Sequence, residues 1–191
     1  MAYFPAFIKF EKKRVLIIGG GIIAQEKLVH LLEFTSDITL LSKDFTENIL
    51  DLITLNSLKY IKKEYEIGDI KGYDIIIVAI DDISLQEKIY IETKKFNCLC
   101  NCVDLPNCCD FIFPSYIKKG DLTIAISTSG TSPAFAKNLR IYLEKIIPNN
   151  VNEFLKKMKE YRKTMPKGKD RMKFLDKQAK EYIEKWNKNE I

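Results

Sequence analysis

A doubly wound parallel α/β sheet over about residues 13–112 is predicted by the alternation of short apolar runs with amphipathic stretches. Two further observations agree. The apolar run at 14–19 ends in a glycine cluster that opens a helical pattern. The run at 73–80, YDIIIVAI, is apolar on both faces, as a central parallel strand is. Hydrophobic content of 46% with 30% charged residues describes a folded globular chain rather than a disordered one. No apolar run approaches the roughly 20 residues that span a bilayer as a helix. The amino end, MAYFPAFIKFEKKR, is too short and interrupted for a secretory signal, so a cytoplasmic location is expected.

The elements follow in order. RVLIIG at 14–19 reads as a buried strand running into the glycine turn, and Ala24, Leu28, Leu31 and Leu32 mark one face of the helix behind it. DITLLS at 37–42 is a second strand, FTENILDLITL at 45–55 a helix, and LKYI at 58–61 a short strand. After the strand at 73–80 come a helix, SLQEKIYIETKKF at 84–96, and a strand, CLCNCV at 98–103. The pattern then changes. DLTIAIST at 121–128 is a strand, SGTSP a turn of small residues, and 134–147 a helix with Pro133 at its first position. Pro148-Asn149-Asn150 interrupts. Beyond it, Val151, Phe154, Leu155, Met158 and Tyr161 recur at helical spacing, and so do Met172, Leu175, Ala179, Ile183 and Trp186. The expected division is 1–112, 113–148 and 149–191.

Charge is uneven along the chain. Residues 149–191 hold 13 Lys and Arg against 7 Asp and Glu, while the rest holds 18 against 19. Such a tail is either a solvated lysine face or an attractor for polyanions. No aromatic interleaving or helix-turn-helix pattern accompanies it, so a nucleic-acid partner is not expected. The five cysteines cannot all pair within one chain. Cys98, Cys100 and Cys102 alternate onto one strand face, Cys108 and Cys109 are adjacent, and no C-x-x-C spacing signals zinc. Buried, reduced thiols are the reading.

Gly19, Gly21 and Ala24 fit G-x-G-x-x-A between a strand and a helix. In a Rossmann-like turn the first glycine permits the bend, the second admits a pyrophosphate, and the third, small residue lets helix and strand close up. The acidic residue that usually ends the second strand and holds the ribose hydroxyls is missing. That strand ends in Ser42-Lys43-Asp44, with Asp44 arriving late and Lys43 leaving NADP open beside NAD.

Three downstream stretches carry further polar groups: VAIDD at 78–82, NCVDLPNCCDFIFPS at 101–115 and LTIAISTSGTSPAFAKNLR at 122–140. Ala79, near the end of its strand, and Asp81, Asp82 and Asp104, which follow strands, fall at the carboxyl edge of the sheet, where ligands bind. On spacing alone Asp104 is equally a general base and a loop-capping carboxylate. Ser127, Thr128, Ser129, Gly130, Thr131 and Ser132 precede a helix, which makes them an anion site or, through Ser132, an ordinary helix cap. Lys137 and Arg140 add positive charge nearby in sequence.

With these motifs in order, and with YFPAFI at 3–8, the chain resembles the precorrin-2 dehydrogenase module of siroheme synthases, stand-alone versions included. The resemblance covers residues 3–148. It implies NAD-dependent oxidation of precorrin-2, a tetrapyrrole, to sirohydrochlorin, in a homodimer built through 113–148, a small α+β segment ahead of a helical region. It places the family's functional aspartate on Asp104 and its nucleotide contacts on Ile22, Ile23, Lys43 and Asp44, and a substrate rich in carboxylates suits the serine-rich turn as its anion site. There Ser129 stands where relatives often have a second glycine. Some relatives also insert ferrous iron. A carboxylate at Asp104 could assist, since carboxylates bind hard divalent ions. The sole histidine, His30, falls mid-helix and speaks against a histidine-based chelatase site. The competing reading from another class is a regulatory domain that senses NAD without catalysis.

Overall fold

A computed structural model describes residues 3–186. Its contacts divide between residues 3–112 and residues 113–186. In the first unit β1 (Val15–Ile18), β2 (Ile38–Ser42), β3 (Lys59–Lys62), β4 (Ile75–Val78) and β5 (Leu99–Cys102) form one parallel sheet of order β3-β2-β1-β4-β5. The helices α1 (Ile22–Leu32), α2 (Glu47–Leu55) and α3 (Ile83–Phe96) make the connections. Parallel strands cannot be joined by a hairpin, so each crossover carries a helix, except the loop between β3 and β4. The chain builds outward from β1 through β2 to β3, then returns to lay β4 on the other side of β1. That reversal opens a crevice at the carboxyl ends of β1 and β4, where an open α/β sheet takes its ligand.

Every residue of β1 and β4 is buried, with Val15 level with Ile75 and Ile18 level with Val78. Leu16, Ile18, Ile76, Val78 and Ile89 share a core cluster with Cys98, Cys100, Cys102 and Cys108. All five cysteines are free, four buried and Cys109 half-buried, so the alternating thiols serve as small core residues. Edge strand β3 is exposed throughout and begins and ends in lysine, a composition that discourages edge pairing.

The second unit is built differently. β6 (Ser115–Lys119) and β7 (Leu122–Ile126) form an antiparallel hairpin, followed by α4 (Pro133–Ile146), α5 (Val151–Thr164) and α6 (Lys169–Trp186). The β6 strand was not legible in SYIKK because only Ile117 in it is buried. Ile117, Ile147 and Val151 form the core, with Leu122, Ile124, Leu143, Leu155, Tyr182 and Trp186 packed against them. The hairpin tip lies close to α5, where Asn152 accepts the Asp121 N–H at 3.2 Å.

The expected inner face of α6 needs a correction. Met172 and Ile183 are 70% and 53% exposed, while Phe174, Leu175, Ala179, Tyr182 and Trp186 are half-buried. Aromatic contacts set this register. The Tyr182 ring stacks on Phe154 at 4.0 Å, Phe174 meets Tyr161 edge-on, and the Tyr182 hydroxyl donates to Asn150 at 2.7 Å.

Candidate functional site: a glycine-lined cleft at the sheet edge

The crevice between β1 and β4 holds a cleft of about 910 Å³. Its floor is the glycine turn. Gly19 has φ +135°, and a β-carbon there would run into the Ala79 carbonyl, with Ala24 Cβ next nearest at 3.5 Å. Ala24 is fully buried, so the small third residue does bring α1 down onto the strand. Gly20 is a requirement that the spacing did not reveal. Its β-carbon would strike the Asp44 carbonyl and lie 2.8 Å from Ser42 Oγ. The Gly20 carbonyl in turn accepts the Thr46 N–H at 3.0 Å.

Gly21 differs from both. A β-carbon there would meet nothing within 4 Å among the described residues. It is also the N-cap of α1, where no described side chain caps the helix. The first backbone N–H groups of α1 therefore lack a side-chain acceptor beside open space, as a phosphate requires. Ile22 and Ile23, 70% and 41% exposed, offer apolar surface to the same cleft. Ala79 and Asp81 line its opposite side. Asp82 is spent on structure, since its carboxylate caps α3 through the Leu85 N–H at 3.0 Å.

At the far rim the ends of β2 and β3 meet. Lys43 lines the cleft, and its ammonium is engaged by Glu64, which holds it above the usual lysine range. Asp44 pairs with Lys62 at 3.1 Å instead of facing the main cleft, although it borders an adjoining hollow with Gly20 and Gly21. Glu64 and Tyr65 are cleft residues that sequence reasoning missed. Tyr65 donates to Glu92 at 2.5 Å, and the Gly68 N–H reaches the same buried carboxylate at 2.7 Å. Burial and the Glu92 charge push the Tyr65 phenol pKa upward. Glu64 and Tyr65 lie two and three residues past the end of β3, where no periodic signal remains; only the pairing of β2 with β3 brings them to the rim beside Lys43.

Asp104 is exposed, follows β5, and sits in the left-handed region at φ +68°. It is not among the residues lining the glycine cleft. Cys109 pins its loop by donating to the carbonyls of Cys102 and Leu105 at 3.0 and 3.4 Å. Asp104 is in electrostatic reach of Lys27 on α1, whose pKa is lowered by burial against the opposing pull of Glu26, Asp104 and Cys109. Among the described residues no group of three or more His, Cys, Asp or Glu could hold a metal ion. His30 is exposed on α1.

In the second unit the serine-rich turn is held by its own hydroxyls. Ser127 Oγ accepts the Ser129 N–H at 3.0 Å, Thr128 Oγ1 the Ser132 N–H at 3.0 Å, and Ser132 Oγ the Phe135 N–H at 3.2 Å. Ser129 has φ +51° and Gly130 φ +82°, so Ser129 occupies a conformation that favours glycine. Ser129, Gly130 and Thr131 are exposed. Lys137 is exposed on α4, whereas Arg140 is bound to Glu144 at 2.7 Å.

An open parallel sheet with a glycine cradle at its switch point defines a Rossmann-type dinucleotide-binding protein. Comparison with known proteins agrees. A family model described as "Putative NAD(P)-binding" matches residues 6–115, and the chain belongs to that family. A second model, "Sirohaem biosynthesis protein central", matches residues 119–145. Among curated relatives, the siroheme synthase of Ruthia magnifica subsp. Calyptogena magnifica is 35% identical over 149 residues, 78% of this chain and 32% of the relative. That of Pseudoalteromonas translucida (strain TAC 125) is 34% identical over 79% of this chain and 32% of the relative. The chain thus spans about a third of the length of the curated relatives it matches. A solved structure described as "SirC, precorrin-2 dehydrogenase" superposes with a TM-score of 0.77 at 21% identity, covering 96% of this chain and all of that one. No helix among the described residues is long and apolar enough to cross a membrane.

Proposed function

We propose that this chain is a precorrin-2 dehydrogenase that oxidises precorrin-2 to sirohydrochlorin with NAD, as a cytoplasmic homodimer. The carrying observation is the open cradle at Gly21, in a chain whose likeness to siroheme synthases extends over most of its length. Gly19 and Gly20 fix the turn, Gly21 with Ile22 and Ile23 receives the pyrophosphate, Ala24 seats the helix, and Lys43, Asp44, Ala79 and Asp81 border the rest of the cofactor. A bound nicotinamide supplies the hydride acceptor. Oxidising the reduced macrocycle removes one hydride and one proton for each double bond formed, and Asp104 is the proposed acceptor of that proton. Lys27 on α1 lies within electrostatic reach of that carboxylate.

The substrate's carboxylates are assigned to the exposed turn at Ser129, Gly130 and Thr131 with the hydroxyls of Ser127, Thr128 and Ser132, and to Lys137 and Arg140, the last after release from Glu144. The turn's hydrogen bonds support this because they fix its shape before a ligand arrives. The homodimer is assigned to 113–148, supported by Phe135, Tyr142 and Ile146, which are 60%, 61% and 41% exposed along α4.

The test is to supply enzymatically generated precorrin-2 with NAD and follow the appearance of the sirohydrochlorin spectrum. Asp104→Asn keeps a residue that tolerates left-handed φ, so the loop survives. It should lower turnover by about 10²–10⁴-fold, the typical share of a general base, while cofactor titrations stay unchanged. Full turnover by the variant removes Asp104 from the base role. Cofactor binding with no turnover by the wild type points instead to a sensing domain.

A further inference from the structure

The second strand of this fold does not end in the carboxylate that usually receives the ribose hydroxyls; it runs into Lys43, the kind of residue that welcomes a 2′-phosphate. The structure nevertheless brings a carboxylate to the same place. Because β2 and β3 pair with Ser42 level with Lys62, the residues that follow each strand end emerge side by side on the cleft rim. Glu64 and Lys43 both line the cleft, and Glu64 engages the Lys43 ammonium.

The other cations on this rim are also matched. Lys62 pairs with Asp44 at 3.1 Å, and Lys63 lies 2.9 Å from Glu66 and 2.8 Å from Asp69. Three lysines therefore face four carboxylates. A phosphate arriving here would have to break the Lys43–Glu64 pair and sit beside an uncompensated carboxylate. A ribose hydroxyl could instead donate to Glu64 without displacing anything. Resting on the reading of the cleft as a nicotinamide dinucleotide site, we propose that Glu64 is the cofactor-discriminating residue. Supplied from β3 rather than β2, it holds Lys43 and makes the rim accept a 2′-hydroxyl and refuse a 2′-phosphate.

The pair is exposed, so its loss should leave the fold intact and act through ligand charge alone. The test titrates NADH and NADPH separately into the full chain and follows the fluorescence of the reduced nicotinamide. The wild type should bind NADH the more tightly. Glu64→Gln frees Lys43 and should narrow the NADH over NADPH preference by roughly tenfold, the size of one charge-assisted hydrogen bond. Adding Lys43→Met to Glu64→Gln should cancel that gain in NADPH affinity. Equal binding of the two cofactors by the wild type overturns the assignment, as does an unchanged preference in Glu64→Gln or a gain that survives loss of Lys43. If neither reduced cofactor binds the wild type, the cofactor reading of the cleft falls first and takes this assignment with it.

Discussion

The two units of this chain bury their apolar residues in opposite ways. In residues 3–112, β1 and β4 are wholly buried and share a cluster with α3 and four cysteines. In residues 113–186, three buried residues make the core, and no described residue of α6 is buried. The first unit is locked by backbone contacts around its glycines. The second is held by half-buried aromatic faces such as Tyr182 on Phe154. A deep core tolerates little change, whereas a shallow one distributes its stability over many partial contacts.

The sharpest way to break this contrast is at the turn of the first unit. Gly19→Ala adds a β-carbon at φ +135° against the Ala79 carbonyl, which is backbone and cannot move aside. A loss of more than about 4 kcal/mol is expected, measured by urea denaturation, because strain and overpacking act together. Unchanged stability would mean the turn is not so confined. Next in size is a paired comparison. Ile76→Ala, at a fully buried position in β4, should cost about 2–5 kcal/mol. Ile183→Ala, on the exposed side of α6, should stay within about 0.5 kcal/mol. If the two cost the same, Ile183 does not lie on the exposed side of α6. Between those two falls Ser132→Ala, which removes the cap on the Phe135 N–H and should cost about 1 kcal/mol. Amide exchange in the first turn of α4 should rise with it.

Legibility in the sequence followed the same contrast. The strands VLII and IIIV and the Ala24 and Leu28 face of α1 were readable because burial on all sides leaves a continuous apolar run or a clean helical stripe. In α6, aliphatic spacing pointed to Met172 and Ile183, but ring stacking rotated Phe174 and Tyr182 inward instead. The strand Ser115–Lys119 leaves no signal because a two-stranded hairpin with one buried residue in that strand has almost no apolar alternation.

The candidate site divides along similar lines. Gly19, Gly21 and Ala24 could be named from spacing, since a strand, a tight turn and a helix start are local events that a few consecutive residues determine. Gly20, Glu64 and Tyr65 could not. Gly20 is constrained by Asp44, 24 positions on, and Glu64 reaches the cleft only because β3 lies alongside β2. The sequence by itself determined the order of strands and helices in the first unit, the glycine turn and the buried thiols, because these depend on residue type and short-range period. Only the tertiary structure decided which side chains share the cleft and which charges cancel there, because strand order and register bring together residues that no spacing along the chain relates.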